Sequence, residues 1–408
     1  MQSLLSEGNA RLDWAEMHMP VLAMVRERFI KERPFSGLRV GMALHVEAKT
    51  GVLALTLKAG GAEVRLASCN PLSTDDSVVT ALRSRGISVF AKKGETREEY
   101  YENLHRVLEM GPDIIIDDGG DLTTLLHTEY SDIPIMGGNE ETTTGVLRLR
   151  VMEKMGVLRF PMFDVNDAKM KHLFDNRYGT GQSTVDGILS ATNLSIAGKT
   201  VVVAGYGWCG KGIAMRMRGM GADVIVTEID PVRGIEARMD GFRVMKMIDA
   251  IKEADFVITA TGMKDVVRGE HIKYAKNGLI LANAGHFDNE ISKSDLEALA
   301  VSKRKIREYV EEYDLGDKKI YLLGDGRLIN LVAGQGHPVE IMDMSFSLQA
   351  LTAEYIAKNH NALENRVYSV PDSIDFRVAE LKAKAMGISL DTLTEAQKRY
   401  LEEWMEGT

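Results

Sequence analysis

The loop Gly205-Tyr206-Gly207-Trp208-Cys209-Gly210 follows an apolar run and precedes a helical pattern, and Glu228 stands 23 residues after Gly205. In that setting Gly205 permits a tight turn, Gly207 lets a pyrophosphate approach the backbone, and Gly210 lets helix and strand pack closely. The free N–H groups at the helix start favour an anion. A carboxylate at position 228 accepts hydrogen bonds from the ribose hydroxyls of NAD and repels the 2′-phosphate of NADP, and Ile229-Asp230-Pro231 supply no replacing arginine. The chemistry expected here is hydride transfer with NAD as cofactor. The plainer reading, a glycine turn closing a βα unit, makes Glu228 a coincidence.

Five further segments are unusually polar for their apolar settings. They are His45 to Thr50, with Glu47 and Lys49 between; Asp117-Asp118-Gly119-Gly120-Asp121; Glu140-Glu141-Thr142-Thr143-Thr144-Gly145; Lys171 to Asp175-Asn176; and Asn283-Ala284-Gly285-His286-Phe287. Each alone has a structural explanation. Glu141 and the threonines fit a helix start, Asp118-Gly119-Gly120 a turn, Lys171 with Asp175 an i,i+4 pair, and His45 a satisfied core histidine. Together they offer acids, a base and a lysine beside an NAD site, which is what proton-coupled hydride chemistry needs.

Short apolar runs alternating with longer helical patterns must position these groups. Runs at 38–45, 63–67, 87–91 and 113–116 read as strands, and 48–59, 76–85 and 97–110 as helices. A second series restarts near residue 197, with strands at 200–204, 223–228, 256–260 and 279–282. Strands separated by helices imply parallel sheets covered on both faces, with ligands beyond the carboxyl ends of the strands. His45 and Asp118 fall at such ends. The expected fold is α/β: two Rossmann-like, doubly wound parallel-sheet domains plus a short C-terminal helical segment. The expected boundaries are 1–184 for a substrate-binding domain completed by about 336–375, 185–335 for the NAD-binding domain, and 376–408 for the C-terminal segment. The helix of that segment, 392–404, has Thr394 as N-cap.

Apolar residues make up 45% and charged residues 27%, which excludes a disordered chain, a collagen or a coiled-coil rod. Fifty Lys plus Arg against 59 Asp plus Glu leave a net charge of −9 without a basic block, which argues against nucleic-acid binding. Two cysteines, Cys69 and Cys209, cannot build a disulfide framework, and no CxxC or His/Cys spacing suggests zinc, so no metal is expected. A reducing cytoplasm is the natural compartment. The start shows no signal peptide, and no apolar run approaches the roughly 18 residues of a membrane span. There is no internal repeat and no low-complexity segment.

Over nearly its whole length the chain resembles the S-adenosylhomocysteine hydrolases (adenosylhomocysteinases). The resemblance is carried by Ser68-Cys69-Asn70 with Ser73-Thr74, Gly94-Glu95-Thr96, DDGGDLT (117–123), EETTTG (140–145), FDN-YG (174–179), AGKTVVVAGYG (197–207), VTEIDP (226–231), NAGHFDNEI (283–291), GRLINL (326–331) and GHP (336–338). It looks most like the family's shorter archaeal and thermophilic branch. The resemblance implies a reaction in which the nucleoside 3′-hydroxyl is oxidised by tightly held NAD and the ketone acidifies the C4′ hydrogen. Homocysteine then leaves from C5′, water adds, and the ketone is reduced again, with no net redox change. It places Lys171 and Asp175 at the 3′-hydroxyl, with Lys171 assisting deprotonation and Asp175 and Asn176 positioning lysine and ribose. It gives Glu141 the ribose hydroxyls, His45 and Asp118 proton transfer at C4′ and C5′, and His286 the reacting sugar and the 5′ water. It assigns NAD to Thr142, Thr143, Thr144, Asn176, Gly205, Gly207, Gly210, Glu228, Asn283 and Asn330. Thr50 belongs to the substrate set, and His337-Pro338 comes near the nucleobase. Which residue is the base at C4′ stays open.

The chain also departs from the family pattern. The first motif is usually His-Met-Thr-x-Gln/Glu-Thr; here it is His45-Val46-Glu47-Ala48-Lys49-Thr50, with Lys49 where an acceptor faces the adenine N6 amine. An ammonium cannot accept from N6. It can donate to the O6 of hypoxanthine, while Glu47 accepts from N1–H. A site built for one edge rejects the other through unpaired buried groups. S-inosyl-L-homocysteine is therefore the favoured substrate and S-adenosyl-L-homocysteine the alternative; a Glu47–Lys49 ion pair leaving base recognition to backbone is the plainer reading. A frequent family cysteine is Thr180 here, and Gln335 stands where Met is common, near the hinge. The longer tail that reaches a neighbouring protomer's NAD is lacking, so easier NAD exchange is expected. A homotetramer acting on a small nucleoside thioether, without nucleic acid or membrane partners, is expected. The competing classes are a catalytically silent NAD-binding regulatory homologue and an ordinary NAD dehydrogenase.

Overall fold

The structure is a computed structural model that describes residues 2–404; Met1 and residues 405–408, the end of the expected C-terminal segment, lie outside the described residues. Two sheets organise the chain. The first contains β1 (Arg39–Ala43), β2 (Glu63–Ala67), β3 (Ser88–Phe90), β4 (Ile114–Asp117), β5 (Gly137–Glu140) and β6 (Met162–Asp164). The second contains β7 (Thr200–Ala204), β8 (Asp223–Thr227), β9 (Arg243–Val244), β10 (Phe256–Thr259), β11 (Leu279–Asn283), β12 (Ser302–Arg307), β13 (Val310–Asp314) and β14 (Lys319–Leu323). A last strand, β15 (Val367–Ser369), returns to the edge of the first sheet.

The strand orders are β15-β6-β5-β4-β1-β2-β3 and β12-β13-β14-β11-β10-β7-β8-β9. In each, the earliest strand lies between its successor and a later strand, so the winding direction reverses beside β1 and beside β7. Such switch points open a crevice beyond the strand ends. The central strands are buried on both faces: Ile114, Ile115 and Ile116 of β4 and Val201, Val202 and Val203 of β7 are fully covered. That is why these strands read as unbroken apolar runs rather than alternating ones.

The α/β reading holds, with one addition. β13 pairs antiparallel with both β12 and β14, so the second sheet is mixed at one edge. The outermost strand, β12, is exposed throughout and carries Lys303, Arg304, Lys305 and Arg307. Such charge keeps an open edge from pairing with other chains. The expected helix at 392–404 is shorter, Glu395–Glu402, and Thr394 caps it reciprocally with Gln397. Two N-terminal helices, Gln2–Met17 and Pro20–Glu32, were not foreseen.

The chain passes from the first sheet to the second through the helical stretch 169–192 and returns through 324–338. It then forms the long helix Val339–Asn359, which packs under the first sheet. The part His172–Gly179 is wound as a π-helix. Its wider turn is a common device at functional sites. No helix among the described residues is long and apolar enough to cross a membrane.

Candidate active site

Both switch points open on one cavity of about 1300 Å³. That exceeds the roughly 300–1,000 Å³ of a typical small-molecule site, leaving room for a dinucleotide and a second ligand.

On the side of the second sheet, Gly205 has φ 94°, the left-handed region that glycine adopts freely. A Cβ at Gly210 would overlap the Gly205 carbonyl oxygen, whereas one at Gly207 would meet only Arg233 Nη1, 3.7 Å away. The helix Trp208–Gly219 starts at Gly207 with no side-chain cap, so its first amides are open to an anion. Glu228 is fixed by backbone: Oε2 accepts from Tyr206 N at 2.7 Å, and Oε1 from Ile229 N at 2.7 Å and Asp230 N at 3.1 Å. Asn330 lines the cavity, and its Oδ1 is buried without a partner, an acceptor waiting for a donor. Thr142, Thr143 and Thr144 line the opposite wall at the uncapped start of the helix Thr143–Lys154. A bare helix terminus, a held carboxylate and an orphaned acceptor fit a dinucleotide.

Two expectations change here. Asn283 does not reach the cavity wall; Oδ1 takes Thr259 Oγ1 and Gly285 N, and Nδ2 donates to carbonyls of Gly285, Phe287 and Gly326. It shapes the loop that carries His286. The absence of an arginine holds only for 229–231, because Arg233 lines the cavity.

On the side of the first sheet, Lys171 is buried with Nζ 2.7 Å from Asn176 Oδ1 and 3.4 Å from both Glu141 Oε1 and Asp175 Oδ2. Asp175 also accepts from Ser345 Oγ at 2.7 Å and pairs with His337 Nδ1. Burial alone would raise the Asp175 carboxyl, but the Lys171 ammonium and His337 outweigh it and hold it well below the carboxylate range. For Lys171, burial is overcome by Asp175 and Glu141, and its ammonium is strengthened. Glu141 goes the other way: burial dominates over Lys171, and its carboxyl is pushed up to about 8. One acid of the cluster therefore stays ionised while the other stands ready to hold a proton near neutrality.

Asp118 lies between two histidines. His45 Nε2 is 3.5 Å from Oδ2, and His286 Nδ1, brought in by the loop after β11, is 3.6 Å from Oδ1. Gly119, at φ 104°, allows that approach, since a Cβ there would collide with His286 Nε2. Burial lowers the His45 imidazole to about 4, so it is neutral at pH 7. Thr50 Oγ1 holds the His45 carbonyl, and Ser73 Oγ lies 2.7 Å from its Nδ1. Behind them, Asp117 accepts from the amides of Asp118, Leu122 and Thr123, and Glu140 from those of Gly119 and Thr142.

At the far end, Glu47 lines the cavity and Lys49 is buried behind it. Lys49 Nζ donates to His337 O at 2.7 Å and Gln335 O at 3.1 Å, and pairs with Glu47 Oε1 at 2.9 Å. The lysine thus ties the helix after β1 to the return connection. The His337 imidazole lines the cavity, joins Asp175 and lies 3.3 Å from Thr180 Oγ1.

Sequence reasoning missed Ser345 and Gln349. Both lie on the helix Val339–Asn359, four residues apart, and Gln349 Nε2 donates to Glu141 Oε2. They belong to a run of buried polar side chains on that helix, with Asp343, Ser347 and Thr352, and that run was the available signal. It also missed Cys69, whose Sγ lies 3.6 Å from Asp118 Oδ2.

Comparison with known proteins agrees with this geometry. The family model described as S-adenosyl-L-homocysteine hydrolase matches residues 2–135, and that described as S-adenosyl-L-homocysteine hydrolase, NAD binding domain, matches 176–336. The chain is 65% identical over 406 residues to the adenosylhomocysteinase of Thermoplasma volcanium, covering 98% of this chain and 99% of that one. It is 63% identical over 408 residues to the S-inosyl-L-homocysteine hydrolase of Methanocaldococcus jannaschii, covering 100% and 98%. Among solved structures, a dipicolinate synthase chain from Bacillus halodurans superposes with a TM-score of 0.52 at 14% identity, covering 79% of this chain and 99% of that one; this is a likeness of fold.

Proposed function

The chain belongs to the S-adenosyl-L-homocysteine hydrolase family, an NAD-binding enzyme family acting on nucleoside thioethers, and from that premise we propose that it cleaves S-inosyl-L-homocysteine to L-homocysteine and inosine. The observation that carries the choice of base is the ion pair between Glu47, which lines one end of the cavity, and Lys49, buried behind it. Hypoxanthine offers N1–H to Glu47 and O6 to the Lys49 ammonium, which exchanges one present acceptor for it. Adenine presents an acceptor at N1 and donors at N6, so it meets the same pair in the reverse sense. Relatives of both names match the chain equally well in length, and S-adenosyl-L-homocysteine is the competing substrate.

When bound, NAD supplies reversible oxidation at the ribose C3′, so the reaction has no net redox change. Thr142, Thr143, Thr144, Asn176, Glu228, Asn330 and the amides of the 205–210 loop would hold it. Lys171 donates to the 3′ oxygen and eases its deprotonation; Glu141, protonated up to about pH 8, hydrogen-bonds the ribose hydroxyls and exchanges protons with that site. Asp175 and Asn176 keep the ammonium in place. His45, neutral at pH 7, and Asp118 serve proton transfer at C4′ and to the sulfur that leaves C5′, and His286 orients the 5′ water. The cavity between the sheets keeps bulk water from the reactive enone. Self-association is supported by the exposed apolar row Val232, Ile235 and Met239 on one helix; a homotetramer is the form expected, and a monomer mass in light scattering would remove it.

The test is free-thiol release by NAD-loaded protein with the two substrates in parallel. The expected result is a larger kcat/KM for the inosyl compound and a reversal of preference in Lys49→Glu. Faster release from the adenosyl compound overturns the base assignment, and release from neither overturns the hydrolase reading.

A further inference from the structure

We propose that His45, Cys69 and Asp118 form a binding site for a thiophilic divalent cation, zinc above all, and that filling it stops turnover. The three side chains follow β1, β2 and β4, which lie side by side in the sheet as β4-β1-β2. Spacings of 24 and 49 residues hide this in the sequence. One ligand atom from each lies within 4.8 Å of the others. His45 Nε2 is 3.5 Å and Cys69 Sγ 3.6 Å from the same atom, Asp118 Oδ2. Metal bonds of about 2.0–2.2 Å to nitrogen or oxygen and about 2.3 Å to sulfur put tetrahedral N···O and S···O edges near 3.4 and 3.6 Å. Both edges are already in place.

The hydrogen bonds behind the site leave the right electron pair free. Ser68 and Ser73 hydroxyls both donate to the Asn70 carbonyl, at 2.7 and 3.2 Å. The Ser73 oxygen is then an acceptor for His45 Nδ1–H at 2.7 Å. Nε2 therefore carries a lone pair, aimed at a carboxylate oxygen that is also an acceptor. Only the Cys69 thiol proton lies between these groups, so a cation satisfies what the protein leaves electrostatically open. Ser73 is the outer partner that holds the imidazole in its ligating orientation.

One sulfur, one imidazole and one carboxylate suit zinc rather than magnesium or calcium, which take oxygen donors. Binding forms the sulfur–metal bond as the Cys69 S–H loses its proton to solvent. His45 and Asp118 line the cavity while Cys69 is buried behind them, so the fourth coordination position faces the cavity. The proposed reaction releases homocysteine there, and its thiolate is itself a zinc ligand. Occupation removes both groups assigned to proton transfer, which makes the metal an inhibitor and not a cofactor.

The test is zinc binding by the NAD-loaded holoenzyme in chelator-treated buffer, measured by equilibrium dialysis without substrate, with cobalt(II) as a spectroscopic probe. The expected result is one equivalent per chain and the intense visible bands of tetrahedral cobalt with a thiolate ligand. Cys69→Ser is expected to abolish the thiolate-to-cobalt charge-transfer band and weaken zinc at least tenfold, while Cys209→Ser changes neither. Ser73→Ala, which keeps all three ligands, is expected to weaken zinc by about 10- to 100-fold. NAD content shows that each variant is folded. Zinc should inhibit the wild type and spare Cys69→Ser relative to its own metal-free rate. No stoichiometric binding, or equal binding by Cys69→Ser and wild type, overturns the proposal, and the binding readout stands whatever the substrate.

Discussion

Beyond β7 and β8 the second sheet presents almost bare backbone: Gly205, Gly207, Gly210, the uncapped start of a helix, and a Glu228 carboxylate pinned by three amides. Beyond β1, β4 and β5 the first sheet presents titratable side chains: the part-buried His45, the buried Asp118 and Glu141, and the buried Lys171 close by. The two sheets share a strand order around their switch points, so fold alone does not account for the difference. Backbone amides hold an anion without changing charge, which suits a resident cofactor. Side chains can take and give protons, which chemistry needs, but their burial is costly. That cost is visible where burial pushes Asp117 up to about 6 and Glu141 up to about 8.

The largest effect should come from separating the two regions. Lys171→Met is expected to lower kcat/KM by about a thousandfold in thiol release, the scale of losing a positioned proton-transfer group. Bound NAD, read from the absorbance of the extracted cofactor, should stay within twofold of wild type. Equal loss of both would end the distinction between a cofactor side and a chemistry side.

Within the glycine loop the contrast can be made sharper. Gly210→Ala puts a methyl group into the Gly205 carbonyl, so strand and helix must part. It is expected to destabilise the protein by about 2–4 kcal/mol and to lose NAD. Gly207→Ala meets only an arginine tip at 3.7 Å; it should weaken NAD about tenfold and leave the apo-protein's Tm within about 2 °C. Identical Tm losses in the two variants would contradict separate packing and cofactor roles.

These two regions were unequally legible in the sequence. The glycine loop is contiguous, so its function is written in one stretch, and Thr200–Ala204 with Asp223–Thr227 could be placed almost to the residue. The chemistry side assembles residues from β1 to the helix Val339–Asn359. Its members could be named one by one, but not their pairings. Nothing local shows that Lys49 spends its donors on the carbonyls of residues 335 and 337, or that Gln349 holds Glu141. Asn283 was misread for the same reason: its motif marks a loop that needs an internal brace, which looks in sequence like a ligand contact. The antiparallel β13 was not foreseen because Val310–Asp314, although mostly buried, carries Glu311, Glu312 and Asp314 instead of an apolar run.

The smallest predicted effect asks whether a buried acid of the first sheet's loops must belong to the chemistry. Glu95 is buried, its Oε2 accepts from Asn103 Nδ2 at 2.7 Å, its Oε1 has no partner, and it does not line the cavity. Burial pushes its carboxyl up to about 7 from an ordinary 4.5. Between those values the folded chain binds more protons at this site than the unfolded chain does, so stability falls as pH rises through the window. Below pH 4.5 the penalty is absent, and above 7 it is complete. Glu95→Gln cannot ionise and keeps an acceptor for Asn103. Its stability relative to wild type should therefore improve by about 1–2 kcal/mol between pH 5 and pH 8, read as a widening Tm gap in thermal unfolding. Parallel Tm curves would mean that Glu95 is not burdened by its burial. A widening gap with kcat/KM unchanged would show that a raised carboxyl in this sheet is a consequence of burial, and that Glu141 owes its role to Lys171 and the cavity beside it.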